Sequence, residues 1–208
     1  MLTIINYGHS CFKFIDENAS IVFDPYEGID GLKMPQVEAN YLYVSHEHHD
    51  HNAVEYVDLI PTENRINIGS ILVPHDHHNG TKRGMNKIHI FYMGGYKIAH
   101  MGDVGCIPNE EIIKELKGLD ILLIPINGFY TVSAKEAIEI VDLIKPRLVI
   151  PMHYYRKENN SGLKDDGQIE IFKQLIDYKE VNSDTVFVNE ETFNKPALIF
   201  NRSKGDIL

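Results

Sequence analysis

Residues 45–51 read Ser45-His46-Glu47-His48-His49-Asp50-His51. They follow the apolar and aromatic run 41–44, which is typical of a buried strand. His46, His48 and Asp50 occupy alternate positions, so an extended segment would project their side chains to one side. His51 would point elsewhere and could serve a second ion. Because imidazole and carboxylate ligands together suit Zn, Fe or Mn, the stretch predicts a metal site at the end of a strand.

Three further predicted strand ends carry histidine or aspartate. One is the cluster His75-Asp76-His77-His78, which directly follows an apolar run. Asp103 and His153 each end another apolar run. Side chains at several strand ends lie close together when the strands share one edge of a sheet, where ligands commonly bind. The sequence therefore predicts that these residues join the stretch 45–51 in one metal centre.

The composition sets the class of protein. With 208 residues the chain is expected to form one domain over 1–208. The net charge of −10 disfavours a nucleic-acid partner, whose phosphates would be repelled. No apolar run approaches the roughly 18 residues that span a membrane, and the N-terminus lacks the basic region of a signal peptide. Two distant cysteines, Cys11 and Cys106, fit a reducing compartment. We expect a cytoplasmic protein with no membrane partner.

The order of predicted elements favours an α/β sandwich. The first half contains mainly strands, predicted at 1–6, 11–15, 20–23, 41–44, 66–73, 87–93 and 96–101. For residues 53–59 the sequence is compatible with either one helical turn or two. The second half alternates strands with helices, which are predicted at 109–117, from the capping box Ser133-Ala134-Lys135-Glu136 to Pro146, and at 168–178. Strands flanked by helices in this way predict sheets inside and helices outside.

Further motifs accompany the candidate ligands along residues 7–154. They are Tyr7-Gly8-His9-Ser10-Cys11-Phe12, Phe23-Asp24-Pro25, Lys82-Arg83-Gly84, His100-Met101-Gly102-Asp103, Pro125-Ile126-Asn127-Gly128-Phe129-Tyr130-Thr131 and Ile150-Pro151-Met152-His153-Tyr154. Together with the order H-x-H-x-D-H, they resemble the metallo-β-lactamase superfamily, and specifically its ascorbate-6-phosphate-lactonase-like branch of metal-dependent hydrolases. The resemblance implies a four-layer αββα sandwich with two mixed sheets inside and helices outside.

The resemblance also implies two divalent metal ions, with Zn expected first and Mn or Fe as alternatives. The first ion would take His46, His48 and His75, and the second would take Asp50, His51 and His153, with Asp103 bridging the two. The third ligand is the least secure of these, because His77 and His78 lie beside His75 in the sequence. The resemblance assigns the role to His75, which directly follows its strand and precedes the Lys-Arg-Gly turn.

This ligand set predicts hydrolysis by a hydroxide shared between two ions, so no serine or cysteine nucleophile is needed. Asp50 would orient the hydroxide and Asp103 would hold both ions, while Tyr130, Tyr154 and His77 are candidates for the acid that protonates the leaving group. Other polar residues would hold the ligands in orientation or meet the substrate. They are His9, Asp24 and His100 behind the ligands, and Lys82 and Arg83 towards an anionic substrate.

The predicted function is hydrolysis of an ester, lactone or phosphoester bond in a small, anionic substrate. Two alternatives stay open, namely a thioester hydrolase and a non-catalytic metal-binding scaffold. An intact ligand set favours catalysis, because a scaffold is free to lose ligands. The expected partner is a small molecule, and a homo-oligomer is compatible with the sequence. Residues 129–131 are expected on a loop at a strand end, with Lys82 and Arg83 facing it.

Overall fold

The computed structural model describes residues 1–155 and 167–201. Its strands are β1 (Leu2–Gly8), β2 (Cys11–Ile15), β3 (Ser20–Phe23), β4 (Val37–Ala39), β5 (Tyr41–Tyr43), β6 (Val57–Leu59), β7 (Ile68–Pro74), β8 (Met85–Met93), β9 (Tyr96–His100), β10 (Ile121–Pro125), β11 (Leu148–Met152), β12 (Tyr178–Val181), β13 (Thr185–Val188) and β14 (Ala197–Phe200). The α-helices are α1 (Glu110–Glu115), α2 (Ala134–Ile144) and α3 (Gln168–Leu175), and short 3-10 helices form at Val54–Tyr56 and Glu190–Asn194.

The strands form two mixed sheets that face each other. The smaller sheet has the order β13-β1-β2-β3-β5, in which only β3 and β5 are parallel neighbours. The larger sheet has the order β12-β14-β11-β10-β9-β8-β7. Its strands from β12 to β9 are parallel, whereas β8 and β7 are antiparallel to their neighbours. The ends of β9, β10 and β11 therefore lie at one edge, where the candidate ligands Asp103 and His153 follow.

Strand β10 explains how the core is divided into two. All five of its residues are buried. Ile121 and Leu123 contribute to the apolar cluster between the two sheets, where they join aromatic side chains of the smaller sheet such as Phe12. Leu122 and Ile124 point the other way, into the cluster beneath the helices. A strand covered on both faces requires a continuous apolar run, which is what residues 121–125 supply.

The three helices of the described residues cover the outer face of the larger sheet. Helix α2 begins with the predicted capping box, since Ser133 accepts a hydrogen bond from the Glu136 amide while the Glu136 carboxylate accepts from the Ser133 amide at 2.8 Å. Its buried residues lie three or four positions apart and form one apolar stripe: Ala134, Ala137, Ile140 and Ile144. Helices α1 and α3 add Ile113 and Phe172 to the same cluster.

The outer face of the smaller sheet is covered differently. A third apolar cluster there contains Tyr26, Ile29 and Met34 from the segment after β3, together with residues of the parallel pair β4 and β6. The α/β sandwich with two mixed inner sheets is confirmed. Its outer layer on this side is made of extended chain and the single 3-10 turn Val54–Tyr56, which is followed by a strand rather than by a second helical turn.

Two further elements differ from the sequence prediction. The helix predicted over 168–178 ends at Leu175, because Ile176 is extended and Tyr178 begins β12, which pairs in parallel register with β14. The short strands β4 and β6 were not predicted, since three residues are too few for an alternating pattern to be recognised. Among the described residues, no helix is long and apolar enough to cross a membrane.

Candidate metal centre

The predicted ligands meet at the edge where the strands of both sheets end. They arrive from four loops, which follow β5, β7, β9 and β11, and the turn between β1 and β2 adds His9. Their ligand atoms form compact groups in which all members lie within 4.8 Å of one another. One group is His46, His48 and His75, another is His9, Asp50, His51 and His153, and a third is His46, His51 and Asp103. The structure thus brings all seven predicted ligands into one site.

Asp103 lies between these groups. Its Oδ2 atom is 3.0 Å from Nε2 of His153 and 3.2 Å from Nε2 of His51. The same oxygen is 3.5 Å from Nε2 of His75, which belongs to the other group. Burial opposes ionisation of Asp103, but the neighbouring His153 and His51 outweigh it and hold the pKa of this carboxyl well below its ordinary value. Asp103 is therefore an anion that touches both groups.

The position of His75 settles which imidazole of its cluster enters the site. His75 is buried, and its amide donates to the Gly84 carbonyl at 3.1 Å. The side chain of His77 is 54% exposed and lies 3.7 Å from Glu136, and His78 is exposed as well. Only His75 of the three belongs to a group of ligand atoms.

Asp76 shapes the loop that carries His75. Its carboxylate accepts hydrogen bonds from four backbone amides further along the loop, namely those of His78, Gly80, Lys82 and Arg83. Although partial burial opposes ionisation, these bonds lower the pKa of Asp76 to about 2. The charge of Asp76 is thus engaged by its own loop, which fixes the positions of Lys82 and Arg83.

Asp24 holds two of the ligands from behind. It is fully buried, and its Oδ2 accepts hydrogen bonds from His51 Nδ1 at 2.9 Å and from the Ser45 hydroxyl at 2.7 Å. Ser45 Oγ in turn lies 2.9 Å from His46 Nδ1. Because both Nδ1 atoms are engaged, the Nε2 atoms of His46 and His51 face the site, where the unprotonated form of each would bind a metal ion. Burial opposes the charge on Asp24, but His51 outweighs it and keeps the pKa of Asp24 below its usual range.

His100 and Gly102 position the Asp103 loop. His100 does not join a group of ligand atoms. Its Nε2 donates to the Ser10 carbonyl at 2.9 Å, while its Nδ1 accepts from the Gly102 amide at 3.2 Å. A Cβ atom at Gly102 would lie 2.2 Å from Asn86 Oδ1 and 2.4 Å from Ser45 Cβ, so only glycine allows this close approach.

Sequence analysis missed two polar residues that support the loops. Asn86 accepts from the Asp103 amide and donates to the Met101 carbonyl, both at 2.8 Å. His89 donates from Nε2 to the carbonyl of Val44, at 3.2 Å, directly before the stretch 45–51. Asn86 shares strand parity with the buried Ile88, and a polar side chain on the buried face of a strand is the signal that could have revealed it.

His9 lies among the ligand atoms rather than behind them. Its Nε2 is 3.5 Å from Asp50 Oδ2, and its ring centroid lies 5.0 Å from that of His51 and 4.1 Å from that of His153. Burial, followed by the nearby His153, lowers the pKa of His9 to about 4, so the ring is neutral at pH 7. Burial opposes ionisation of Asp50, yet the nearby His9 and His51 keep its pKa below the usual range.

The ligand groups open onto a pocket of about 350 Å³. Its rim includes Arg83 and Tyr130, whose guanidinium carbon and ring centroid are 3.7 Å apart. Of the three candidate acids, only Tyr130 lines this pocket. The stacked pair also borders a second pocket of about 290 Å³, which Lys82 and the exposed Phe129 help to line. Residues 129–131 thus lie on a loop that Arg83 faces.

The donor set fits divalent metal ions. Within the described residues, several buried atoms have no hydrogen-bond partner: both ring nitrogens of His9, His75 and His153, Nε2 of His46 and His51, and Oδ1 of Asp103. Buried polar atoms are costly when they lack partners, and they rarely occur in such a cluster without a function. Imidazole nitrogens with carboxylate oxygens are the donors that Zn, Mn and Fe accept.

The chain is similar to proteins described as metal-dependent hydrolases. Residues 3–153 match the family model described as a β-lactamase superfamily domain. A UPF0173 protein of Pyrococcus abyssi is 30% identical over 86% of this chain and 93% of its own length. A UPF0173 metal-dependent hydrolase of Staphylothermus marinus is 29% identical and covers 94% of this chain and 100% of its own. The crystal structure of a candidate Zn-dependent hydrolase of the metallo-β-lactamase superfamily, from Thermotoga maritima, aligns with a TM-score of 0.71 at 27% identity, over 96% of this chain and 98% of that one.

Proposed function

Because the chain belongs to the β-lactamase superfamily and its relatives are metal-dependent hydrolases, we propose that it uses two divalent metal ions to hydrolyse a small anionic ester, lactone or phosphoester. The observation that carries this proposal is the position of Asp103. One of its oxygens lies within 3.5 Å of imidazole nitrogens from both groups of ligand atoms, where a shared ligand is needed.

Seven residues would hold the two ions. His46, His48 and His75 would bind one ion, Asp50, His51 and His153 the other, and Asp103 both. Zinc is the expected metal because three imidazoles with a carboxylate are common zinc ligands, and Mn or Fe would accept the same donors. Two such ions supply an activated water at neutral pH and stabilise the negative charge that develops on the substrate.

Two side chains at the pocket would contribute to the reaction directly. Asp50 is half-buried and lines the pocket, and the oxygen that does not bind the ion would orient the attacking water. Tyr130 lines the same pocket with its ring fixed by Arg83, and its hydroxyl would donate a proton towards the leaving group.

The charge around the pocket supports an anionic substrate. Within the described residues, Arg83 forms no ion pair with a carboxylate, and its guanidinium lies on Tyr130 at the border of both pockets. Asp76, the acidic residue of this loop, is engaged by four backbone amides. An available cation in a chain whose net charge is −10 favours recognition of a negative group. A pocket of about 350 Å³ limits the reacting part of the substrate to a small molecule.

A metal-reconstitution assay tests the proposal. The purified protein would be stripped with a chelator, reloaded with Zn, Mn or Fe, and assayed on matched panels of lactones, phosphodiesters and thioesters. We expect two ions per chain by elemental analysis, and turnover of an anionic lactone, ester or phosphoester only after reloading. Full activity after exhaustive chelation would exclude the metal-dependent mechanism. Turnover of thioesters alone would replace the proposed substrate class with that alternative.

A further inference from the structure

The turn between β1 and β2 delivers a histidine that the seven proposed ligands do not include. Gly8 and His9 both have positive φ angles, of 109° and 53°, so the chain turns sharply at the end of β1. The ligand atom of His9 lies within 4.8 Å of those of Asp50, His51 and His153, all of which belong to one proposed ion. His9 is therefore as close to that ion's ligands as they are to one another.

The ring of His9 resembles those of the proposed ligands rather than those of supporting histidines. His100 and His89, which support loops, have both ring nitrogens in hydrogen bonds. The ring nitrogens of His9 are buried without a hydrogen-bond partner among the described residues, as are those of His75 and His153. The ion pair that it forms among the described residues is with Asp50 Oδ2, at 3.5 Å. That distance is long for a hydrogen bond.

The backbone of this turn is fixed to the opposite sheet. His9 and His153 both adopt left-handed φ angles, of 53° and 51°, which are strained for a non-glycine residue. The His153 amide donates to the His9 carbonyl at 3.2 Å, and the adjacent Ser10 carbonyl accepts from His100. Strain maintained by such tethers is characteristic of functional sites, because a residue without a role would relax.

From these contacts we propose that His9 is a direct ligand of the second metal ion, together with Asp50, His51, His153 and the shared Asp103. This proposal rests on the two-ion site of the proposed function. It gives the second ion one protein donor more than the first, whose ligands are His46, His48, His75 and Asp103. In structural metal sites protein donors occupy every coordination position, whereas in catalytic sites one position stays available for water or substrate. The first ion, bound by His46, His48 and His75, would then be the one that keeps a position for the substrate, and His48 and His75 both line the pocket.

A different role for His9 makes an opposite prediction. If His9 only donated a hydrogen bond to Asp50, its ring nitrogen would carry a proton in the loaded protein and would never contact the ion. The two roles can be separated by nuclear magnetic resonance on protein labelled with 15N in histidine and reconstituted with 113Cd²⁺. A ring nitrogen bound to 113Cd shows a scalar coupling to the metal, and a hydrogen-bonded one does not.

We expect coupled signals from the rings of the five proposed histidine ligands and from one further ring, which is lost in His9→Asn. Asparagine tolerates the left-handed backbone of this position, so the variant should keep the fold. In a competitive chelator titration, His9→Asn should weaken one class of ion by at least about tenfold, since even residues behind a ligand contribute that much. His78→Asn removes an exposed imidazole from outside the groups and should leave both measurements unchanged.

The outcomes separate this inference from the proposed function. Coupling in only five rings, with His9 uncoupled, would overturn the role of His9 and leave the two-ion site intact. Coupling in fewer than five rings would overturn both the proposed site and the role of His9. If His9→Asn were to unfold, the count of coupled rings in the unmodified protein would still decide the question.

Discussion

Replacing Asp24 by asparagine should weaken metal binding although Asp24 is not one of the proposed ligands. The Asp24 carboxylate accepts three hydrogen bonds, from the amide and hydroxyl of Ser45 and from His51 Nδ1. An asparagine has the same shape, but its NH₂ group must replace one of the two carboxylate oxygens and so face either His51 or the Ser45 amide. If that group faces His51 Nδ1, the ring proton is forced onto Nε2, the atom that faces the ions. If it faces the Ser45 amide, two donors oppose each other in a buried site.

Either arrangement has a cost that can be estimated. A buried donor without an acceptor costs about 1–3 kcal/mol. Loss of a residue that orients a metal-bound histidine typically lowers metal affinity about 10–100-fold, which corresponds to about 1.4–2.7 kcal/mol. We therefore expect Asp24→Asn to weaken the binding of at least one ion by that factor, measured by competition with a chromophoric chelator. The melting temperature of the loaded protein should fall by several degrees.

Asp120→Asn provides the matched control. Asp120 also accepts a backbone hydrogen bond, from Lys97, but it precedes β10 and so lies at the end of that strand away from the site. We expect its replacement to alter thermal stability without altering metal affinity. Asp24→Asn protein that bound both ions as tightly as the unmodified protein would refute the argument that this carboxylate sets the protonation of His51.

Three further predictions follow from the site. Asp103→Asn should weaken both ions together, because Asp103 Oδ2 touches both groups, and elemental analysis after dialysis should then find less than one ion per chain. Arg83→Ala should raise KM for anionic substrates more than for neutral ones, while Tyr130→Phe should lower kcat; unchanged kinetics in both would remove the proposed substrate contacts. Gly102→Ala should destabilise the protein more than Gly118→Ala, as measured by chemical denaturation. Both glycines have positive φ, which alone costs alanine about 1–2 kcal/mol, but only at Gly102 would the added Cβ lie within 3 Å of other atoms.

Local patterns in the sequence were sufficient to predict those features that depend on a single element. The capping box at Ser133 forms because both of its partners lie within one helical turn. The apolar run of β10 indicates a strand buried on both faces without reference to its neighbours. The residue types in the stretch from His46 to His51 are enough to predict metal binding, and the structure places its four proposed ligands in one site.

Features that depend on contacts between distant segments could not be predicted in this way. The helix predicted over 168–178 ends three residues early, and Tyr178 begins β12 because β14, more than fifteen residues later, offers this strand a partner. The role of Asn86 depends on the Asp103 loop, seventeen positions away; its buried position in β8 marks it as unusual, but its partner cannot be identified from the residues around it. The location of His9 follows from a turn that is tied to a strand end of the other sheet.

The same dependence on distant contacts explains why the site lies where it does. Three non-glycine residues near the centre have left-handed backbones, and each directly follows or precedes a strand: His9, Asp24 and His153. A left-handed residue departs from the extended backbone, so the strand ends there and the chain turns. Because the sheets face each other, residues turned in this way from both sheets converge, and the energetic cost of each is offset by contacts that only the folded sandwich provides. A metal centre assembled from both sheets would then bind the two halves of the sandwich together, so loss of the ions should loosen the contact between the sheets before either sheet unfolds.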